Sequence, residues 1–154
     1  MSNLEVTVKS FSELSNAELY SFLRLRAEIF IVEQQFIYQD LDDFDQEAVH
    51  VCAYADRKLV AYTRLIAPGI KYPGASIGRV ITKSCSRNRG IGSEIVACAL
   101  RTSKALWPYS PITISAQEYL QNFYARFGFE KQSDAYMEDG IPHIEMTVAA
   151  FQDD

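Results

Sequence analysis

Ile77-Gly78-Arg79-Val80-Ile81-Thr82 runs into Lys83-Ser84-Cys85-Ser86 and then into Arg87-Asn88-Arg89-Gly90-Ile91-Gly92. A short apolar run ends in a polar turn, and the turn ends in R-x-x-G-x-G. Behind it Ile91, Ile95, Val96, Ala99 and Leu100 fall at helical spacing. The stretch reads as strand, loop and helix, with glycines where the helix starts. The first N–H groups of a helix have no intrahelical partner, and the helix dipole makes that end positive. Gly90 and Gly92 lack a Cβ and let a phosphate approach the backbone. Arg87 and Arg89 add positive charge beside them. One such charge contributes only ~0.3–1 kcal/mol, so anion binding here needs several contacts together. An ordinary glycine-rich helix start fits the bare pattern about equally well. Neither G-x-G-x-x-G nor G-K-[ST] is present, which disfavours the dinucleotide and Walker readings.

The chain has 154 residues, 48% of them hydrophobic and 23% charged, as expected for a single globular domain over 1–154. No apolar run is long enough for a membrane span, and Met1 to Glu5 lacks the basic and apolar regions of a signal peptide. The expected location is the cytoplasm. Cys52, Cys85 and Cys98 form no C-x-x-C, so neither zinc nor a dithiol redox motif is indicated, and no metal is expected. Cys52 and Cys98 read as core thiols, and Cys85 as a loop residue. A net charge of −5 argues against nucleic acid as the partner and is compatible with a cationic substrate.

Outward from the central stretch, Leu4 to Val8 alternates as a first strand. Ser15-Asn16-Ala17-Glu18 is a capping box ahead of a helix running to about Glu33 or Gln34, with Leu19, Phe22, Leu23, Ala27 and Phe30 on its apolar face. The aspartates of Tyr38-Gln39-Asp40-Leu41-Asp42-Asp43-Phe44-Asp45 lack the calcium-loop spacing, so a solvated loop is expected, able to rim a site and attract an ammonium group. His50–Ala55 and Leu59–Ile66 form a hairpin about Asp56-Arg57-Lys58. Trp107-Pro108 stops the helix that began at Ile91. Ile112–Gln117 alternates and, after a crossover helix, is expected to run parallel to the central strand. Glu118–Phe127 reads as a helix closed by Gly128, followed by strands over Phe129–Tyr136 and Ile144–Val148.

The helix after Gln117 ends Tyr124-Ala125-Arg126-Phe127-Gly128-Phe129, which is Y-x-x-x-G-F. Together with the R-x-x-G-x-G loop and the order of elements, it resembles the GNAT N-acetyltransferases. Leu25–Gln34, Tyr38–Asp42, Ile77–Val80, Ser115–Gln117 and Glu138–Met146 resemble the ElaA-like branch in particular. The resemblance implies a mixed α+β fold: a mostly antiparallel sheet flanked by helices, with a parallel fourth and fifth strand that splay apart.

It also implies acetyl-CoA as cosubstrate. Arg87, Asn88, Arg89, Gly90, Ile91 and Gly92 are then expected to wrap the pyrophosphate with backbone N–H groups. Val80 and Thr82 are expected to pair with the pantetheine arm and acetyl carbonyl, and the N–H of Val80 or Ile81 to donate to an oxyanion. Gln117 stands where many relatives carry an asparagine that touches the coenzyme. Tyr124 is expected to act as general acid on the departing thiolate, although from its place on the helix's apolar side alone a core aromatic is the better reading.

An acceptor amine must lose a proton before attack. Glu33 ranks first as its base, because a carboxylate at a helix C-terminus should be raised in pKa, and His143 ranks second. His50 and Glu138 are further candidates, and Arg64, mid-strand among apolar residues, is expected to pair with a carboxylate. The expected acceptor is a small molecule or a peptide carrying a primary amine. The resemblance implies a homodimer as the common assembly. The rival readings are a non-catalytic acyl-CoA-binding protein of the same fold and a module holding another phosphate ligand.

Overall fold

The computed structural model describes residues 4–150; the reading of Met1–Asn3 lies outside them. β1 (Glu5–Ser10) leads into α1 (Asn16–Arg26). The capping box forms as expected: Ser15 Oγ accepts from Glu18 N–H, and the Glu18 carboxylate accepts from Ser15 N–H at 2.8 Å. The helix does reach Glu33, but over Ala27–Glu33 it widens to π-type turns, and Gln34 N–H donates to Ile29 O. Such turns are rare and frequent at functional sites.

β2 (Val49–Ala55) and β3 (Lys58–Ile66) make the expected hairpin. Asp56 and Arg57 both take positive φ, 49° and 66°, the geometry of a two-residue turn matching strand twist. β4 (Ala75–Thr82), α2 (Ile91–Leu106) and β5 (Ile112–Gln117) are the strand, helix and parallel strand read from the sequence. The helix expected over Glu118–Phe127 is shorter: a 3₁₀ turn at Glu118–Leu120 and then α3 (Gln121–Ala125). Gly128 closes it at φ 93°.

The strand expected over Phe129–Tyr136 is broken into β6 (Glu130–Lys131) and β7 (Tyr136–Glu138), both along the outer edge of β8 (Ile141–Val148). Between them Ser133 Oγ takes the N–H of Glu145, so a side chain stands in for the ladder. β8 begins three residues before the expected Ile144, because Asp139-Gly140 forms a tight turn with φ 52° and 82°.

The sheet runs β1-β2-β3-β4-β5-β8-β6, antiparallel except at β4–β5. Its two faces carry separate cores. Ile91, Ile95, Val96 and Ala99 of α2 pack on Ala61, Leu65, Ile77, Ile114 and Ile144. Phe22, Leu25 and Ile29 pack on Cys52, Tyr62 and Ile81 on the opposite face. β4 and β5 pair only at Ala75–Ile112 and Ser76–Thr113, then separate. A bulge lies just beyond, where the β3–β4 register slips between Tyr62 and Arg64 and Arg79 takes φ 52°.

Candidate active site

The splay opens a cleft of about 600 Å³. β4 supplies Ile77–Thr82 to one wall and β5 supplies Ile114–Gln117 to the other. Lys83 N–H donates to Val60 O of β3 at 2.7 Å. Hydrogen-bonding direction alternates along a strand, so Val80 and Thr82 turn their backbone groups away from β3 and into the gap. By the same alternation Ile81 faces β3, and its side chain is buried under α1. The expectation that Ile81 N–H serves an oxyanion is therefore corrected: that donor on β4 reduces to Val80.

At one end of the cleft stands the glycine loop. Gly90 caps α2 at φ 75°, a conformation costly for residues with a Cβ. A Cβ on Gly92 would lie 3.5 Å from Thr82 Oγ1, so the helix start packs directly on the end of β4. Arg87 and Gly92 line the cleft, Asn88 and Arg89 are exposed beside it, and Ile91 gives only its backbone because its side chain is buried in the core.

Tyr124 enters from the α2 side of the sheet. It is 7% exposed, held edge-on by Phe123 at 5.1 Å and Phe129 at 6.1 Å. Its hydroxyl finds no hydrogen-bond partner among the described residues, and the residue lines the cleft. Burial pushes the phenol well above its ordinary value, so it stays protonated at neutral pH. Gln117 also lines the cleft, its amide 3.5 Å from the Gln34 side chain.

The acceptor-side expectations divide. Glu33 is corrected: the Arg87 guanidinium grips it bidentately from the glycine loop and holds its carboxyl below the ordinary value, not above it. A base ranked on the helix dipole is thus an acid already committed to a cation. His50 is corrected as well. It is fully buried outside the cleft, stacked on Phe22 at 4.8 Å. Its Nε2–H donates to Asp45 O at 2.9 Å, and Nδ1 lies 2.6 Å from the Tyr62 hydroxyl. His143 and Glu138 do line the cleft, opposite Tyr124's side of the sheet, with His143 Nε2 3.3 Å from Glu138 Oε2.

The aspartate loop overturns its expectation most fully. Three of its four aspartates are held by arginines, and Asp43 alone is exposed. Arg26 Nε donates to Asp40 and Arg26 Nη1 to Asp45, at 2.9 and 2.7 Å. Arg64 binds Asp42 and Asp45, as expected of a mid-strand arginine seeking a carboxylate. Arg79 at the β4 bulge donates to Asp40 at 2.8 Å, and Tyr38 donates to the same carboxylate. Arg26 and Arg64 are no more than 1% exposed. These aspartates anchor the loop across the bulge and are not available to draw in an ammonium.

Known proteins agree with this architecture. A family model described as an acetyltransferase (GNAT) domain matches residues 13–150. The chain belongs to the GNAT acetyltransferase family. Protein ElaA of Escherichia coli is 39% identical over 143 residues, 92% of this chain and 94% of that one. The crystal structure of E. coli ElaA superposes with a TM-score of 0.89 at 37% identity, over 94% of this chain and 99% of ElaA. An acyl-CoA N-acyltransferase from Pseudomonas aeruginosa superposes with a TM-score of 0.92 at 40% identity, over 96% and 100% of the two chains. GNAT proteins use acyl-CoA cosubstrates, and no helix among the described residues is long and apolar enough to cross a membrane.

Proposed function

We propose that the protein is an acetyl-CoA-dependent N-acetyltransferase that moves the acetyl group directly to a primary amine. The observation that carries this reading is Tyr124, a buried residue whose hydroxyl has no partner among the described residues, in the same cleft as the unpaired edge of β4 and the glycine-capped start of α2. In that arrangement the loop from Arg87 to Gly92 takes the pyrophosphate, and the Val80 and Thr82 backbone pairs with the coenzyme arm. Val80 N–H donates to the carbonyl oxygen as it becomes an oxyanion. The neutral amine forms the new C–N bond. Collapse of the tetrahedral intermediate breaks the C–S bond and expels a thiolate. A free thiol has a pKa of about 8.5 and a phenol about 10, so the proton transfer from Tyr124 to the thiolate is uphill by itself and is drawn forward by the proton that the amide nitrogen gives up to the phenolate. Tyr124 is restored by the proton released from the amide nitrogen. Its apolar surroundings favour the neutral phenol before and after the step.

The test is acetyl-CoA calorimetry followed by thiol release with primary amines. Binding is expected for the protein as it stands and for Tyr124→Phe, and is expected to be lost in Gly90→Glu, which puts a carboxylate and a positive-φ strain at the phosphate seat. Turnover in Tyr124→Phe is expected to fall by about 100-fold, the usual scale for a positioned general acid. Unchanged turnover in Tyr124→Phe would point instead to a protein that binds acyl-CoA without using this tyrosine.

A further inference from the structure

Removing Glu33, His50 and the aspartate loop from consideration leaves Glu138, Asp139 and His143 as the acidic and basic groups on the acceptor side of the cleft. Among them one contact is chemically incomplete. His143 Nδ1–H donates to Ile141 O at 2.8 Å, so in the neutral imidazole Nε2 carries the lone pair. Nε2 lies 3.3 Å from Glu138 Oε2, and an ionised carboxylate has only lone pairs to offer. Two acceptors so placed call for a proton or an N–H-bearing cation to join them.

We propose that Glu138 and His143 form the seat of the acceptor, a primary ammonium carried on an apolar stem, and that His143 Nε2 removes its proton. This rests on the acetyltransferase reading above. The carboxylate of Glu138 accepts one ammonium N–H and another proton passes to Nε2, leaving a neutral amine and an imidazolium held beside Glu138. The amine attacks the thioester carbonyl, and the imidazolium returns its proton to solvent through the open mouth of the cleft. The net change is loss of one proton per amide formed.

The surroundings fit a cation. Ser115 Oγ lies 2.6 Å from the Tyr136 hydroxyl and 3.4 Å from each Glu138 oxygen, which orients the carboxylate without consuming it. The Tyr136 ring stacks on His143 at 6.4 Å. Asp139 at the turn and Glu145 on β8 add negative charge, β5 presents the neutral Ser115 and Gln117, and Tyr124 lines the same cleft. Lys71 feels the charge of Glu138, but its ammonium rests against the rings of Phe44 and Tyr72 at 5.8 and 6.0 Å. For the stem, Ile29, Phe30, Phe36 and Tyr38 line the adjoining wall. Phe36 lies so close to Gly140 that a Cβ there would meet its ring at 3.1 Å, which ties this wall to the β7–β8 turn.

The experiment compares amines that differ in whether they need deprotonating. Benzylamine, spermidine and Nα-acetyl-lysine are mainly protonated at pH 7, and 2,2,2-trifluoroethylamine is mainly neutral. With the protonated amines, His143→Gln is expected to lower kcat/KM at pH 7 by about 100-fold. With trifluoroethylamine the same variant is expected to lose no more than about threefold, because no base is required. Glu138→Gln is expected to raise KM for the protonated amines more than it lowers kcat. Equal losses on both kinds of amine, or no loss on either, overturn the assignment. Where His143→Gln fails to fold, His143→Asn takes its place. Acetyl-CoA binding without turnover of any amine overturns the acceptor seat while leaving the coenzyme site intact; failure to bind acetyl-CoA at all counts against the acetyltransferase reading beneath it.

Discussion

Two groups of charges lie on the α1 face of the sheet, on either side of the β4–β5 gap. On one side Arg26, Arg64 and Arg79 meet Asp40, Asp42 and Asp45, and each carboxylate is held by two arginines. On the other, Glu138 touches only a histidine and a long hydroxyl contact, and it is 46% exposed at its side chain. In the first group every carboxylate is paired and Arg26 and Arg64 are buried, with Arg64 Nε the one buried donor there that lacks a partner among the described residues. The second is left incomplete and open to the cleft. A buried charge without a partner is costly, so a fold can retain one only where it is matched. Groups meant to exchange a proton must keep a vacancy. The contrast separates charges that build the wall from charges able to act on a ligand.

The matched set breaks hardest. Burial by itself raises the carboxyls of Asp42 and Asp45, yet the arginine hydrogen bonds and charges outweigh it and hold both below the ordinary range. Asp45→Ala takes one carboxylate from two buried guanidinium groups at once, leaving Arg26 with Asp40 and Arg64 with Asp42. Removing one partner of a buried pair costs about 3–5 kcal/mol, and the remaining carboxylates place the loss toward the lower end. Urea unfolding should show that loss, and a change below about 1 kcal/mol would mean the network is solvated after all. The pH sense follows from the lowered carboxyls. Their contribution is complete above the ordinary aspartate pKa of about 3.9 and is lost as pH falls through the lower folded values.

His50 gives a smaller effect in a different window. Burial depresses its pKa, its Nε2–H is committed to Asp45 O, and its Nδ1 sits against the Tyr62 hydroxyl. The neutral ring is therefore the folded form. Its contribution is full above the unfolded histidine pKa of about 6.5 and declines as pH drops from there toward the folded value. Unfolding free energies compared at pH 5 and pH 7.5 should fall more in the parent protein than in His50→Gln. An equal fall in both would place the acid sensitivity elsewhere.

What the sequence made legible was what repeats locally. The Ser15–Glu18 cap, the alternation of Ile112–Gln117 and the helical spacing after Ile91 each depend on residues a few positions apart, and each formed where expected. The glycine loop and Tyr124 were legible because their spacing is a motif. The ionic wall was not, since its partners are 14 to 39 residues apart and no periodicity links an aspartate in a loop to an arginine on a distant strand. Glu33 failed for the same reason: the dipole argument is local, and the decisive Arg87 lies 54 residues on. One distant pair did leave a signal. Asp139-Gly140 is a two-residue hairpin turn, and counting outward from it sets Glu138 against Ile141 and Tyr136 against His143.

The mildest prediction concerns the pair that falls between the two groups. Glu33 and Arg87 are matched like the wall, but each side chain is 39% exposed and they join the acceptor-side helix to the glycine loop. Exposed pairs contribute about 0–1 kcal/mol, so Glu33→Gln should shift the unfolding midpoint little. Its effect on ligand should be larger than its effect on fold. Arg87 must turn from Glu33 to meet a pyrophosphate, and Arg87 Nε already contacts Thr82 O on the open edge of β4. Releasing the guanidinium should tighten acetyl-CoA binding by about two- to fivefold, the scale of one exposed ion pair. Calorimetry of Glu33→Gln beside the parent reads this directly. Tighter binding with unchanged stability would assign the pair to the ligand-responsive side of the contrast; weaker binding would mean that Glu33 orients Arg87 for the phosphate and belongs with the wall.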